Sequence, residues 1–199
     1  MKETLNLSED FSKIEQGDLS AIIDFCELHS GYLFSDSKID FSEIEHIYID
    51  YLVSLYNKSR YSKVLDIIDR FEKTDSINEF RDIDKEFNKD VRFYKFASLF
   101  HKKQYEKSKN GFAELVKDFP ENEDYQEWLI DSKKRISNRI FGLIMYSSGV
   151  FLFSVLAVRL YVNIPLLGII NRIAEGLFVL SIALFFIDLK RKRKMKASR

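Results

Sequence analysis

Residues 140–158 read IFGLIMYSSGVFLFSVLAV, 19 positions without one charged side chain. At about 1.5 Å rise per residue, a helix of that length comes close to the ~30 Å hydrocarbon thickness of a bilayer. The run therefore reads as a first transmembrane helix over about 140–161. A second apolar run, 166–189, carries Asn171, Arg172 and Glu175 near its start and is uncharged from 177 to 187, which predicts a second span over about 166–188. Arg159, Tyr161, Asn163 and Pro165 lie between the runs, and Pro165, lacking a backbone donor, ends any helix arriving from the first. The expectation is a transmembrane helical hairpin, residues 139–189, closed by a short turn.

Charge sets the orientation. Lys133, Lys134, Arg135 and Arg139 precede the first run, and Lys190, Arg191, Lys192, Arg193, Lys194, Lys196 and Arg199 follow the second. Only Arg159 and Arg172 flank the turn. Lys and Arg beside span ends stay on the cytoplasmic side. Both termini are therefore expected in the cytoplasm, with residues 1–138 as a cytosolic head and 190–199 as a basic tail. The start, MKETLNLSED, has charges and hydroxyls where a signal peptide is apolar, so the first span is expected to serve as the insertion signal. Zero net charge conceals a division: residues 1–131 hold 29 acidic and 18 basic side chains, net −11, and 132–199 hold 2 and 13, net +11. Anionic lipid is an expected neighbour of the basic collar and tail. Cys26 is the only cysteine, so no intramolecular disulfide is possible, and it reads as a core residue.

Two prolines and seven glycines in 199 residues leave little turn chemistry for a sheet. The fold class expected is all-α. Ser8 and Asp18 suit N-caps of a short first helix and of a second over 19–29, which Gly31 would close. Asp40 and Glu43 have the spacing of a capping box before a helix to about Lys58. A last soluble helix over 121–138 offers Tyr125, Trp128, Leu129, Ser132 and Ile136 at helical spacing. Nothing from Asn122 to Val158 breaks it except Gly142 and Gly149, which membrane helices tolerate. It is expected to run straight into the first span, about 55 Å in all.

Within the head lies an internal repeat. YLVSLYNKSRYSKVLDIIDRF from Tyr51 aligns with KFASLFHKKQYEKSKNGFAEL from Lys95 at a constant offset of 44. Leu55 pairs with Leu99, Tyr56 with Phe100, Tyr61 with Tyr105, Val64 with Ser108, Ile68 with Phe112 and Phe71 with Leu115. Steps of three, four and three from each tyrosine put four side chains on one helix face, which must be buried against a neighbour. The pattern resembles the tetratricopeptide repeat, a helix–turn–helix unit of about 34 residues. Tyr105, Ser108, Phe112 and Pro120 stand at the family's aromatic, small, aromatic and proline positions, with Leu115 where alanine is usual. The upstream copy, Tyr61, Val64, Ile68 and Phe71, has no proline, and SINEFRDIDK separates the units. The resemblance covers about 43–117 and implies a short α-solenoid with capping helices at each end. It also implies a protein or peptide ligand on the first-helix face. Contact candidates there are His46, Ile49, Val53, Tyr56 and Asn57, with Asp90, Phe93, Ala97, Phe100 and His101 in the second unit.

Catalytic signatures are absent from the sequence. His29, His46 and His101 have no metal spacing, and there is no glycine-rich phosphate loop or GxSxG elbow. No enzyme activity, cofactor or metal is expected, and the basic stretches lack the interleaved aromatics of a nucleic-acid surface. Arg159, Arg172 and Glu175 are the membrane-charge candidates; Arg172 and Glu175, three apart, can neutralise each other. Gly142, Tyr146 and Gly149, with Ser147 and Ser148, form a small-residue surface suited to packing within the hairpin or between copies. The function expected is a membrane-anchored adaptor or scaffold. The alternatives are an oligomeric small channel or permeabilising effector, and an accessory subunit of a larger membrane complex.

Overall fold

The computed structural model describes residues 7–15, 17–34, 45–73 and 85–161, together with 172, 173, 176 and 179. The regular structure among them is helical: α1 (Leu7–Ser12), α2 (Leu19–Leu28), α3 (Ser30–Leu33), α4 (Glu45–Asn57), α5 (Tyr61–Phe71), α6 (Lys85–His101), α7 (Tyr105–Asp118) and α8 (Glu123–Tyr161). The chain divides into two compact units, Met1–Lys134 and Arg135–Arg199. The Asp40–Glu43 capping box and the second apolar run as a span lie outside the described residues.

Asp18 caps α2, its carboxylate accepting from the N–H groups of Ser20 and Ala21 at 3.0 Å each. Ser8 is not a cap. It is the second residue of α1, which starts early enough to bury Leu7 and Phe11, one turn apart, together. Gly31 does not close α2 either. His29 does, its N–H donating to the Phe25 carbonyl, and Gly31 lies inside the single turn of α3 that carries Leu33 into the core. Asn122 caps α8 by accepting from the Tyr125 N–H at 3.2 Å, and α8 then continues for 39 residues. Among the described residues, no helix is long and apolar enough to cross a membrane. The side chains of Leu152, Val155 and Leu156, inside the 140–158 run, lie outside them.

The repeat is a pair of helical hairpins, α4–α5 and α6–α7. On the second helices Val64, Ile68 and Phe71, and Ser108, Phe112 and Leu115, are all buried. The offset of 44 extends to the backbone. In the first turn, Ser59 N–H donates to the Tyr56 carbonyl at 2.8 Å and Arg60 N–H to Leu55 at 2.8 Å. In the second, Lys103 N–H donates to Phe100 at 2.9 Å and Gln104 N–H to Leu99 at 2.9 Å. This is the Schellman closure of a helix end, which places one residue in the left-handed region. Ser59, at φ 58°, and Lys103, at φ 61°, occupy it without being glycine.

Two cores result. The first joins α1 to α5 with Phe87 and Val91 of α6; the second joins α6 and α7 to the start of α8 through Ala97, Phe112, Leu115 and Tyr125. Tyr56 packs against both. In the second hairpin Gly111 makes room for Phe96: a Cβ at Gly111 would sit 2.2 Å from Phe96 Cδ1. At the equivalent positions of the first hairpin stand Ile67 and Leu52, so one large–small pair replaces two medium side chains.

Two predictions follow from this geometry, each read by thermal unfolding of the full-length chain in mild detergent with the single tryptophan, Trp128, as reporter. Lys103→Gly and Ser59→Gly relieve the left-handed conformation and raise stability, by about 1 kcal/mol for Lys103→Gly. The gain at Ser59 is smaller because the Tyr61 hydroxyl, 3.3 Å from Ser59 Oγ, loses its acceptor. Gly111→Ala lowers stability by about 1–3 kcal/mol through overpacking on Phe96, despite alanine's better helix propensity.

Candidate functional site

α4 and α6 lie side by side as the first helices of the two hairpins. Along α4 the spacing that buries Ile47, Tyr48, Tyr51, Leu52 and Leu55 leaves His46, Asp50 and Asn57 exposed, with Val53 half-buried. The corresponding stripe on α6, 44 residues on, is Asp90, Tyr94, Ala97 and His101.

The ten contact candidates separate into two groups. Ile49 is half-buried against the first core, and Phe93 packs into the second, its ring 6.1 Å from Trp128. Ala97 has no exposed surface and fills the second core, because α6 is covered on both flanks. The Phe100 ring, half-buried, meets Trp128 edge-on at 5.2 Å and Tyr105 at 5.2 Å. Tyr56, Phe100 and His101 build the seam between the repeats. The Tyr56 hydroxyl and His101 Nε2 are 2.9 Å apart, and the His101 ring stacks on Tyr61 at 4.4 Å with an interplanar angle of 4°. If the hydroxyl donates, the neutral ring carries its proton on Nδ1. Burial pushes the Tyr56 phenol up to about 12 and holds the His101 imidazolium acid below its ordinary value.

His46, Val53, Asn57 and Asp90 remain on the accessible side of the layer. Two further residues share that side and escaped the sequence reading. Asp50 lies one turn beyond His46, and Tyr94 one turn beyond Asp90. Steps of four from the candidates already chosen would have found both. Partial desolvation raises the Asp50 carboxyl from its ordinary value, opposed by His46. Burial also raises the Tyr94 phenol, and the charges of Asp90 and Asp50 both add to that rise.

Elsewhere the chemistry is closed on itself. A cavity of about 450 Å³ is lined by Glu27, Phe34, Lys63 and Arg70 among others. Lys63 and Arg60 both pair with Glu27, and the Arg70 guanidinium lies 5.5 Å over the Phe34 ring. Cys26 is buried and its thiol is pushed up to about 12, chiefly by that burial, so it stays protonated. Among the described residues no group of three His, Cys, Asp or Glu converges to hold a metal ion. Arg172 is exposed in its own unit, whereas the side chain of Arg159 and all of Glu175 lie outside the described residues. The chain matches no family model, and neither the curated proteins nor the solved structures contain a match to it.

The His101 seam has a pH signature. With its folded value lowered, the unfolded chain protonates first, so the seam's contribution is complete above about pH 6.5 and is lost as pH falls through the folded value. Asp50, with a raised carboxyl, works in the opposite sense, so the difference between wild type and His101→Gln is the informative quantity. Wild type should lose more unfolding temperature between pH 7.5 and pH 5.5 than His101→Gln; equal losses would remove His101 from this account.

Proposed function

We propose that the chain is a membrane-anchored helical-repeat adaptor, with a tetratricopeptide-like head that binds a protein partner at the cytoplasmic face and a C-terminal pair of membrane-spanning helices. The observation that carries the adaptor half is the doubled hairpin, in which the same turn and the same buried second-helix face recur 44 residues apart. Such a unit aligns its first helices as a layer whose outer side is free for a ligand. The exposed stripe of α4, His46, Asp50 and Asn57, with Asp90 and Tyr94 beside it on α6, is the contact surface.

The membrane half rests on the uncharged 140–158 run and the eleven flanking Lys and Arg residues. Within the run, Ile140, Leu143, Tyr146, Phe153 and Val158 are exposed, an apolar surface that water disfavours. The hydroxyls of Ser147, Ser148 and Ser154 donate to the Ile144, Met145 and Val150 carbonyls at 3.0, 2.9 and 2.9 Å. Polar groups satisfied by their own helix are what hydrocarbon requires.

The experiment is crosslinking of the full-length protein in native membranes, followed by identification of the attached polypeptides. The expected result is retention in membranes after alkaline carbonate extraction, with a specific polypeptide joined to the head. Release by carbonate would overturn the membrane half, and retention with no attached polypeptide the adaptor half. In planar bilayers, Arg172→Gln or Glu175→Gln should leave conductance at the level of bare lipid; a current changed by either would favour the channel reading.

A further inference from the structure

We propose that the cavity walled by α2, α3, α4 and α5 binds a small monocarboxylate with an apolar body, its carboxylate held by Tyr51 and Lys63. This site is independent of the adaptor reading, because Tyr51 belongs to the buried side of α4 and the contact stripe to its exposed side. At about 450 Å³ the cavity lies within the size range of small-molecule sites, which begins at about 300 Å³. Tyr51 marks it as a site. That side chain lines the cavity and is only 2% exposed, yet its hydroxyl has no hydrogen-bond partner among the described residues. Buried hydroxyls are ordinarily paired, and one left unpaired costs free energy that a ligand oxygen recovers. Ser62, on the same lining, is by contrast satisfied by Lys102 Nζ, which donates to it at 2.7 Å.

The charges around the hydroxyl select the ligand. Burial raises the Tyr51 phenol, with Glu27 adding to the rise and Arg60 and Arg70 opposing it, so the group stays protonated and acts as a donor. Lys63 and Arg60 both pair with Glu27, so two cations share one carboxylate. An incoming carboxylate that accepts from the Tyr51 hydroxyl and from Lys63 leaves Glu27 its partner in Arg60, 3.5 Å away. With Arg70 over the Phe34 ring, three cations stand against Glu27 and Asp66, in a head whose net charge over residues 1–131 is −11. That local excess of one positive charge matches one negative charge on the ligand, and Asp66 repels a second. Phe34 and Ile67, on the same lining, give the apolar body its walls.

The test is equilibrium dialysis of the full-length chain in mild detergent against four radiolabelled probes of one shape, with detergent alone as background. Benzoate is the expected ligand; benzamide, benzylamine and phenyl phosphate carry no charge, a positive charge and a second negative charge. Wild type should retain benzoate more tightly than the other three. Retention should fall roughly tenfold in Tyr51→Phe and in Lys63→Gln, each the loss of one charge-assisted contact, and persist in Lys107→Gln, altered at an exposed position of α7. Equal retention by wild type and Tyr51→Phe, or an equal fall in Lys107→Gln, overturns the inference. Tightest binding of any other probe, or retention of none of the four, overturns it as well; none of these results touches the adaptor reading. Tyr51→Phe removes a hydroxyl with no partner to lose, so its unfolding temperature, read by Trp128, should equal or exceed that of wild type. If that variant does not fold, Lys63→Gln carries the same comparison.

Discussion

One backbone constraint organises the head: a residue held at positive φ after each first helix, Ser59 after α4 and Lys103 after α6. The two hydrogen bonds that close each turn satisfy carbonyls that a helix end would otherwise leave bare, and they fix the angle at which the next helix departs. With that departure Val64, Ile68 and Phe71 of α5, and Ser108, Phe112 and Leu115 of α7, are buried. The local sequences, NKSRY and HKKQY, contain no residue that favours the left-handed region as glycine does. The conformation costs about 1–2 kcal/mol for such residues, whereas burying one large apolar side chain contributes about 1.5–3 kcal/mol. With several such side chains per hairpin, tertiary burial overrides the local preference.

The second dependence is the seam between hairpins. Tyr56 belongs to both cores, and its hydroxyl meets His101 while Tyr61 stacks on the same imidazole. Aromatic contacts of this kind contribute about 0.5–1.5 kcal/mol each beyond area burial. They hold one repeat in register with the next, which a chain of only two repeats cannot obtain from further neighbours. Trp128 of α8 then covers the outer side of the second repeat, stacked on Phe112 at 5.4 Å. The Oγ atoms of Ser108 and Ser132, 3.2 Å apart, form a buried polar contact in the same unit.

Interior economy also accounts for what the outer face carries. Aromatic residues on the first helices turn inward to complete the cores, and Arg92 and Lys95 of α6 turn toward Asp118 of α7 and Glu72 at the end of α5. The layer's outer side is left with short polar side chains, two aspartates and the edge of Tyr94. Small buried residues let the helices approach closely. Ser54 and Ser98 repeat at the offset of 44, and Gly111 admits Phe96 where Ile67 and Leu52 suffice in the first hairpin.

Much of this was legible in the sequence for a definite physical reason: apolar periodicity and the scarcity of turn residues are properties of the chain itself. They were enough to indicate the helices among the described residues, the 44-residue repeat, the buried faces of α5 and α7, the Asp18 cap and the uninterrupted course of α8. Spacing along a helix cannot say which neighbour covers a residue. Ala97, Phe93 and Phe100 looked like a binding surface until α7 and α8 were seen to pack over them. Ser8 and Gly31 looked like helix punctuation until the core drew Leu7 and Leu33 inward around them. The left-handed turns, the Phe96–Gly111 exchange and the approach of Asp50 to Tyr94 were decided by tertiary structure, since each depends on how one helix packs against another.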